Sequence, residues 1–171
     1  MDALFSNHAN LLTASILTTR DASALYTLKT TFGLRGRKVT LLRDENPPPG
    51  RPAGVGAIYW KEKTIEILGT RKTVKELRRI EGGIWKFNRT RHWRWAPDRR
   101  EYELRHDDEG WKATINNNLS TAARLLVPAR PHIFSTPPPP ALHLTRTALE
   151  ADEVFLILVL VYEETKRQDR T

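Results

Sequence analysis

Reactive side chains at fixed spacings are the first trace of chemistry in a sequence, and this chain offers few. Its five histidines (His8, His92, His106, His132 and His143) are scattered, and none stands at the i, i+4 spacing that seats a metal beside a glutamate. No G-x-S-x-G elbow, phosphate-binding loop or dinucleotide fingerprint occurs. Cysteine is absent, which excludes a disulfide scaffold, thiolate metal sites and a cysteine nucleophile, and suits a reducing compartment. The acidic run His106-Asp107-Asp108-Glu109-Gly110 lacks the alternating ligands of a calcium loop and reads as a polar hairpin turn. The expectation is a non-enzymatic protein with no catalytic residues, metal or cofactor.

The other chemistry on offer is anion binding. Net charge is +8, and residues 71–100 hold eleven Lys/Arg against three acids, so that window is +8 and the rest of the chain sums to zero. Arg78, Arg79, Arg89, Arg91, Arg94, Arg99 and Arg100 form the candidate site, because arginines on one rim grip phosphates bidentately. Such a rim suits anionic phospholipid headgroups or an acidic protein partner. The bland alternative is a solvated basic face. Within the window, Trp85-Lys-Phe-Asn-Arg-Thr-Arg-His-Trp-Arg-Trp95 interleaves aromatics with cations. That pattern fits either stacking platforms for single-stranded nucleic acid or strands with Trp inside and Arg outside. A nucleic-acid-associated basic domain is therefore the alternative function.

Short strands must position these residues. At 171 residues, 39% hydrophobic and 28% charged, the chain has the makings of one globular domain, expected over 11–168 with flexible ends at 1–10 and 169–171. Alternation marks strands over 11–18, 24–30, 37–43, 84–87, 92–97, 100–106, 111–115, 123–127 and 141–145. Residues 55–68 form the clearest hairpin, turning at Lys61-Glu62-Lys63. The stretches 45–54 and Pro137–Pro140 read as exposed loop and polyproline-type connector. Val74, Leu77 and Ile80 stand at helical spacing, predicting one short helix over 73–80 closed by Gly82-Gly83.

The last segment differs. Thr147 and Glu150 have capping-box spacing, acids follow in the first turns, and Lys166 and Arg167 stand near the other end, predicting a helix over 148–168. Its centre, Val154–Tyr162, is apolar on every side. At about 1.5 Å per residue that run spans roughly 14 Å, half a bilayer core, so it cannot cross a membrane. A helix apolar all round must be enclosed by protein. The economical arrangement is a sheet wrapped around it. The first residues carry Asp2 and no basic run ahead of an apolar core, so no secretory signal is expected and the location is intracellular, cytoplasmic or peripheral to a membrane.

Several of these stretches, in order, resemble an uncharacterised family of mushroom-forming (basidiomycete) fungi grouped with the tubby C-terminal-like fold. Ala24-Leu25-Tyr26 with Thr30 is similar to its opening hairpin, and Arg37–Arg43 to its basic strand. Val55-Gly-Ala-Ile-Tyr-Trp60 is the most specific match, with Ile65, Ile67, Gly69 and Val74–Leu77 following at the family's spacing. Arg94–Tyr102 resembles a hairpin motif from which it departs, since Arg99 replaces the turn glycine and Leu104 an aromatic. Leu142-His-Leu144, Asp152 and Val154–Tyr162 look like the closing strand and hydrophobic helix. The resemblance implies a mainly β protein, a closed antiparallel β-barrel of about twelve strands around its C-terminal helix. The family has no established activity, and its distant fold relatives include phosphoinositide-binding tubby proteins and phospholipid scramblases.

Overall fold

The computed structural model describes residues 1–7, 10–34, 36–82, 90–115, 120–128 and 138–170. Among them, thirteen strands form one antiparallel sheet. In chain order these are β1 (Asp2–Phe5), β2 (Ser15–Thr18), β3 (Ala24–Gly33), β4 (Gly36–Asp44), β5 (Gly54–Tyr59), β6 (Thr64–Ile67), β7 (Thr70–Thr73), β8 (Arg78–Glu81), β9 (Thr90–Arg94), β10 (Glu101–His106), β11 (Gly110–Ile115), β12 (Thr121–Leu126) and β13 (Ala141–Leu144). A four-residue helix, α1 (Val74–Leu77), separates β7 from β8, and the long helix α2 (Arg146–Gln168) follows β13. The strand order is β7-β6-β5-β4-β3-β2-β1-β13-β12-β11-β10-β9-β8. The sheet is thus two meanders, β1–β7 and β8–β13, joined where β1 pairs with β13 through Asp2 and His143, Ala3 and Leu142, Leu4 and Ala141.

The helix is enclosed as its composition demands. Every residue from Phe155 to Thr165 is buried. Rings from strands far apart in the chain meet it: Trp60, just past β5, stacks on Tyr162 at 5.6 Å, and Trp93 of β9 meets Phe155 and Tyr162 edge-on. Gly56 of β5 lets the helix come close, since a Cβ there would stand 2.7 Å from Leu158 Cδ1 and 3.2 Å from Val154 Cγ1. α2 begins two residues earlier than predicted, with Thr145 rather than Thr147 at its cap and no side-chain cap bond, and Asp152 (φ −140°, ψ 28°) interrupts it. No helix among the described residues is long and apolar enough to cross a membrane.

The expected closed barrel does not form. β7 and β8 are the two free edges of the sheet, with no ladder between them. The reason is local. Residues 73–80 were expected as one helix, but the Thr73–Glu76 capping box opens only a single turn, and at its C-cap Arg78 returns to extended backbone. Thirteen strands make twelve antiparallel steps, an even number, so the two edges run in the same direction. They are consecutive in the chain, joined through the single turn of α1. Lys72 Nζ crosses the seam to the Trp95 carbonyl at 2.7 Å, and Val74 N–H donates to the Lys63 carbonyl at 2.8 Å.

Other elements shift more modestly. Residues 11–13 form a 3-10 turn, leaving only Ser15–Thr18 as strand. Asp2–Phe5, expected in a flexible end, is instead a strand at the join of the two meanders. The strand expected over 84–87, Arg89 and Pro137 lie outside the described residues.

Candidate functional site

The seven arginines read from the sequence do not share one face. In the β8–β9 ladder Arg78 stands opposite Trp93, Arg79 opposite His92 and Ile80 opposite Arg91. Trp93 is fully buried against α2, so Arg78 and Arg91 point with it toward the helix, while Arg79 and Arg94 point out. Inside, Arg78 Nη1 donates to Glu163 Oε1 at 3.0 Å, and Arg91 Nε lies 3.3 Å from Glu163 Oε2. Outside, Arg79 pairs with Glu81 and stands 3.4 Å from Glu101. Arg99 Nε is 3.8 Å from Asp152 Oδ1, and Arg100 donates to the Thr147 carbonyl at 3.4 Å. Arg89 lies outside the described residues.

The inward arginines belong to a buried polar cluster in the last turns of α2. Glu163 also accepts from the Trp93 indole N–H at 3.2 Å. Its neighbour Glu164, with no exposed surface, accepts from the Trp111 indole at 3.0 Å, from Arg167 at 2.8 Å and from Gln168 at 2.7 Å. Burial pushes the Glu164 carboxyl up, and these hydrogen bonds more than offset it, leaving it below the ordinary carboxylate range. Trp93, so held, offers no face to a nucleic-acid base. The acidic turn at 107–110 is likewise structural: Asp107 Oδ1 accepts from the Glu109 and Gly110 N–H groups, both at 3.0 Å, and Arg124 bridges Asp107 to Glu109.

A different basic cleft emerges where the seam gapes beside the last turns of α2. It encloses about 740 Å³, within the roughly 300–1,000 Å³ usual for ligand sites. Lys63 comes from the β5–β6 turn, Lys75 from α1, Arg78 from β8, and Lys166 and Arg170 from the end of α2. Opposing them are Glu62 and Asp169. Asp169 is engaged by Arg37 and lies 3.5 Å from Lys166. Among the described residues, Lys63, Lys75 and Arg170 have no carboxylate partner. Tyr162 lines the inner wall, and burial raises its phenol pKa, keeping it a neutral hydrogen-bond donor.

Among the described residues of the sequence-read set, only Arg78 lines this cleft. Lys63 read as turn chemistry and Lys166 as a helix-dipole partner, while Arg170 fell in a flexible end. Nothing in their spacing, about a hundred residues apart, signals that they meet. Set against protein-family models, curated proteins and solved structures, the chain matches none of them.

Proposed function

We propose that this is a non-catalytic binding protein of the tubby-like kind, acting in the cell at membrane surfaces, whose basic cleft receives the phosphates of an anionic phospholipid headgroup. The observation that carries the reading is the convergence of five cationic side chains, three of them without a carboxylate partner, on one opening of the seam. A curled antiparallel sheet around a C-terminal helix, with strand motifs in the family's order, supports the kinship. Lysines there act as point charges and Arg78 as a fork, a mixture suited to a polyphosphorylated headgroup.

Flotation with vesicles carrying a phosphoinositide, against neutral phosphatidylcholine vesicles, tests the reading across a salt series. Binding should be confined to the charged vesicles and weaken as salt rises. Reversing Lys63, Lys75 and Arg170 to Glu should weaken it at least about a hundredfold, at about 1 kcal/mol per lost cation near a charged surface. Reversing Arg79, Arg94 and Arg100 should change it little. Equal loss from the two triple variants would return the site to a diffuse basic face, and tighter binding to RNA than to vesicles would favour the nucleic-acid alternative.

A further inference from the structure

A second cavity stands near the start of α2, and its chemistry is opposite. It encloses about 330 Å³ between the first turns of α2 on either side of the Asp152 interruption, the loop after β4, the ends of β3–β6 and the β9–β10 turn. Val55, Ile67, Leu68, Leu149, Trp95 and Phe155 supply apolar and aromatic walls. Into the same space face Tyr26, Asp44, Asp152 and Glu153, with Arg51 and Arg99 alongside.

The polar groups are not equivalent. Asp152 is buried and satisfied: it accepts from the Tyr102 hydroxyl at 2.7 Å and lies 3.8 Å from Arg99. Arg51 stands exposed on the loop at 48–52. Glu153 is half-buried and shares the cavity with Asp44 and the Tyr26 hydroxyl. Burial raises its pKa, Asp44 raises it further, and the Tyr26 hydroxyl and the Met1 amino group act the other way. The Met1 amino group itself donates to the Leu144 carbonyl at 2.6 Å. A partly desolvated carboxylate with a second one nearby gains from any cation brought between them.

We propose that this cavity is a binding site for a small ligand that joins an apolar body to an ammonium group. The aromatic wall fits that class, because ring faces attract ammonium ions, and the outer seam shows it in use: Lys72 Nζ lies 4.9 Å from the Trp95 ring centre. The apolar walls disfavour a hydrated metal ion, which keeps its waters. Anionic ligands would face three carboxylates against two guanidiniums, one of those already beside Asp152. The cavity stands near the low end of ligand-pocket volumes, so it takes a single-ring amine rather than an acyl chain.

Calorimetric titration of the full chain with 2-phenylethylamine and, separately, with 3-phenylpropionate tests this, since the two share a ring and differ in the sign of their charge. The amine should saturate and the carboxylate should not. Glu153→Gln keeps the shape and removes the charge, and should weaken the amine at least about tenfold with the melting temperature held. Asp44→Asn, near the rim, should weaken it in the same direction. The triple reversal at Lys63, Lys75 and Arg170 should leave amine binding unchanged, which separates this site from the phosphate cleft. No binding of the amine, equal binding of the two ligands, or wild-type affinity in both carboxamide variants would overturn the proposal.

Discussion

Glu163 and Glu164 are neighbours on α2, yet they answer to different strands. One is held by Arg78, Arg91 and the Trp93 indole, the other by the Trp111 indole and by Arg167 and Gln168 one turn on. An enclosed carboxylate is tolerable because every approach to it ends in an N–H donor. For Glu164 this has a pH consequence with a definite sign. Its pKa in the fold lies below the ordinary value of about 4.3, so its contribution is complete above that value and is lost as pH falls through the folded pKa. Thermal melts from pH 7 to pH 3 should therefore show a flatter acid limb in Glu164→Gln than in the wild type, with the variant less stable at pH 7. Asp2, Asp21 and Asp107, also held low, are common to both proteins and cancel in the difference. Parallel curves would mean that the carboxylate is no better held in the fold than in the unfolded chain. None of this network was legible in the sequence, where the two acids looked like ordinary charged residues after an apolar run.

At the level of elements, alternation and turn chemistry were readable where they were strong. The hairpin 54–67 and the strands at 24–33, 36–44 and 101–106 stand close to where polar and apolar residues alternate. The misreadings fell on segments whose fate is set by distant partners. Asp2–Phe5 is too short to announce a strand, and it becomes one because β2 and β13 flank it. Val74, Leu77 and Ile80 had helical spacing, but the edge of the sheet captures the backbone from Arg78 onward, and Ile80, opposite Arg91, is left 48% exposed where it lines the basic cleft. The basic window read as a rim because the alternation that puts Trp93 inside and Arg94 outside was not carried through to Arg91 and, across the ladder, Arg78, which share the inward face with Trp93 and meet Glu163. One element carries a signal visible only in three dimensions: Gly56, where β5 touches α2. Gly56→Val should lower the denaturation midpoint by about 1–3 kcal/mol in stability, since the Leu158 methyl can move but the Glu66 carbonyl oxygen, 3.2 Å from the added Cβ, cannot. A variant as stable as the wild type would show that the helix has room to retreat.

For the whole molecule, α2 is the core that the sheet shares. Its nine central apolar side chains, at about 1.5–3 kcal/mol each, stabilise the fold by on the order of 20 kcal/mol before entropy is subtracted, against a net stability of roughly 5–15 kcal/mol for a domain. Deleting residues 150–171 should therefore unfold the chain, seen as loss of the strand signal in circular dichroism and aggregation on gel filtration. A folded, monodisperse truncation would make the helix an appendage. The same helix gives the molecule its polarity: the cleft at its end is lined mainly with cations, and the cavity at its start with carboxylates and rings. The order of the chain adds a constraint in time. A ribosome delivers all thirteen strands before the helix, and β1 waits for β13, some 140 residues later, to finish the central ladder. At about 5–20 residues per second that is an interval of many seconds in which the first meander stands with its inner face bare and its β1 edge, like that of β7, unpaired. A nascent chain of this design needs shelter during synthesis, and the masking is withdrawn only when its last element arrives.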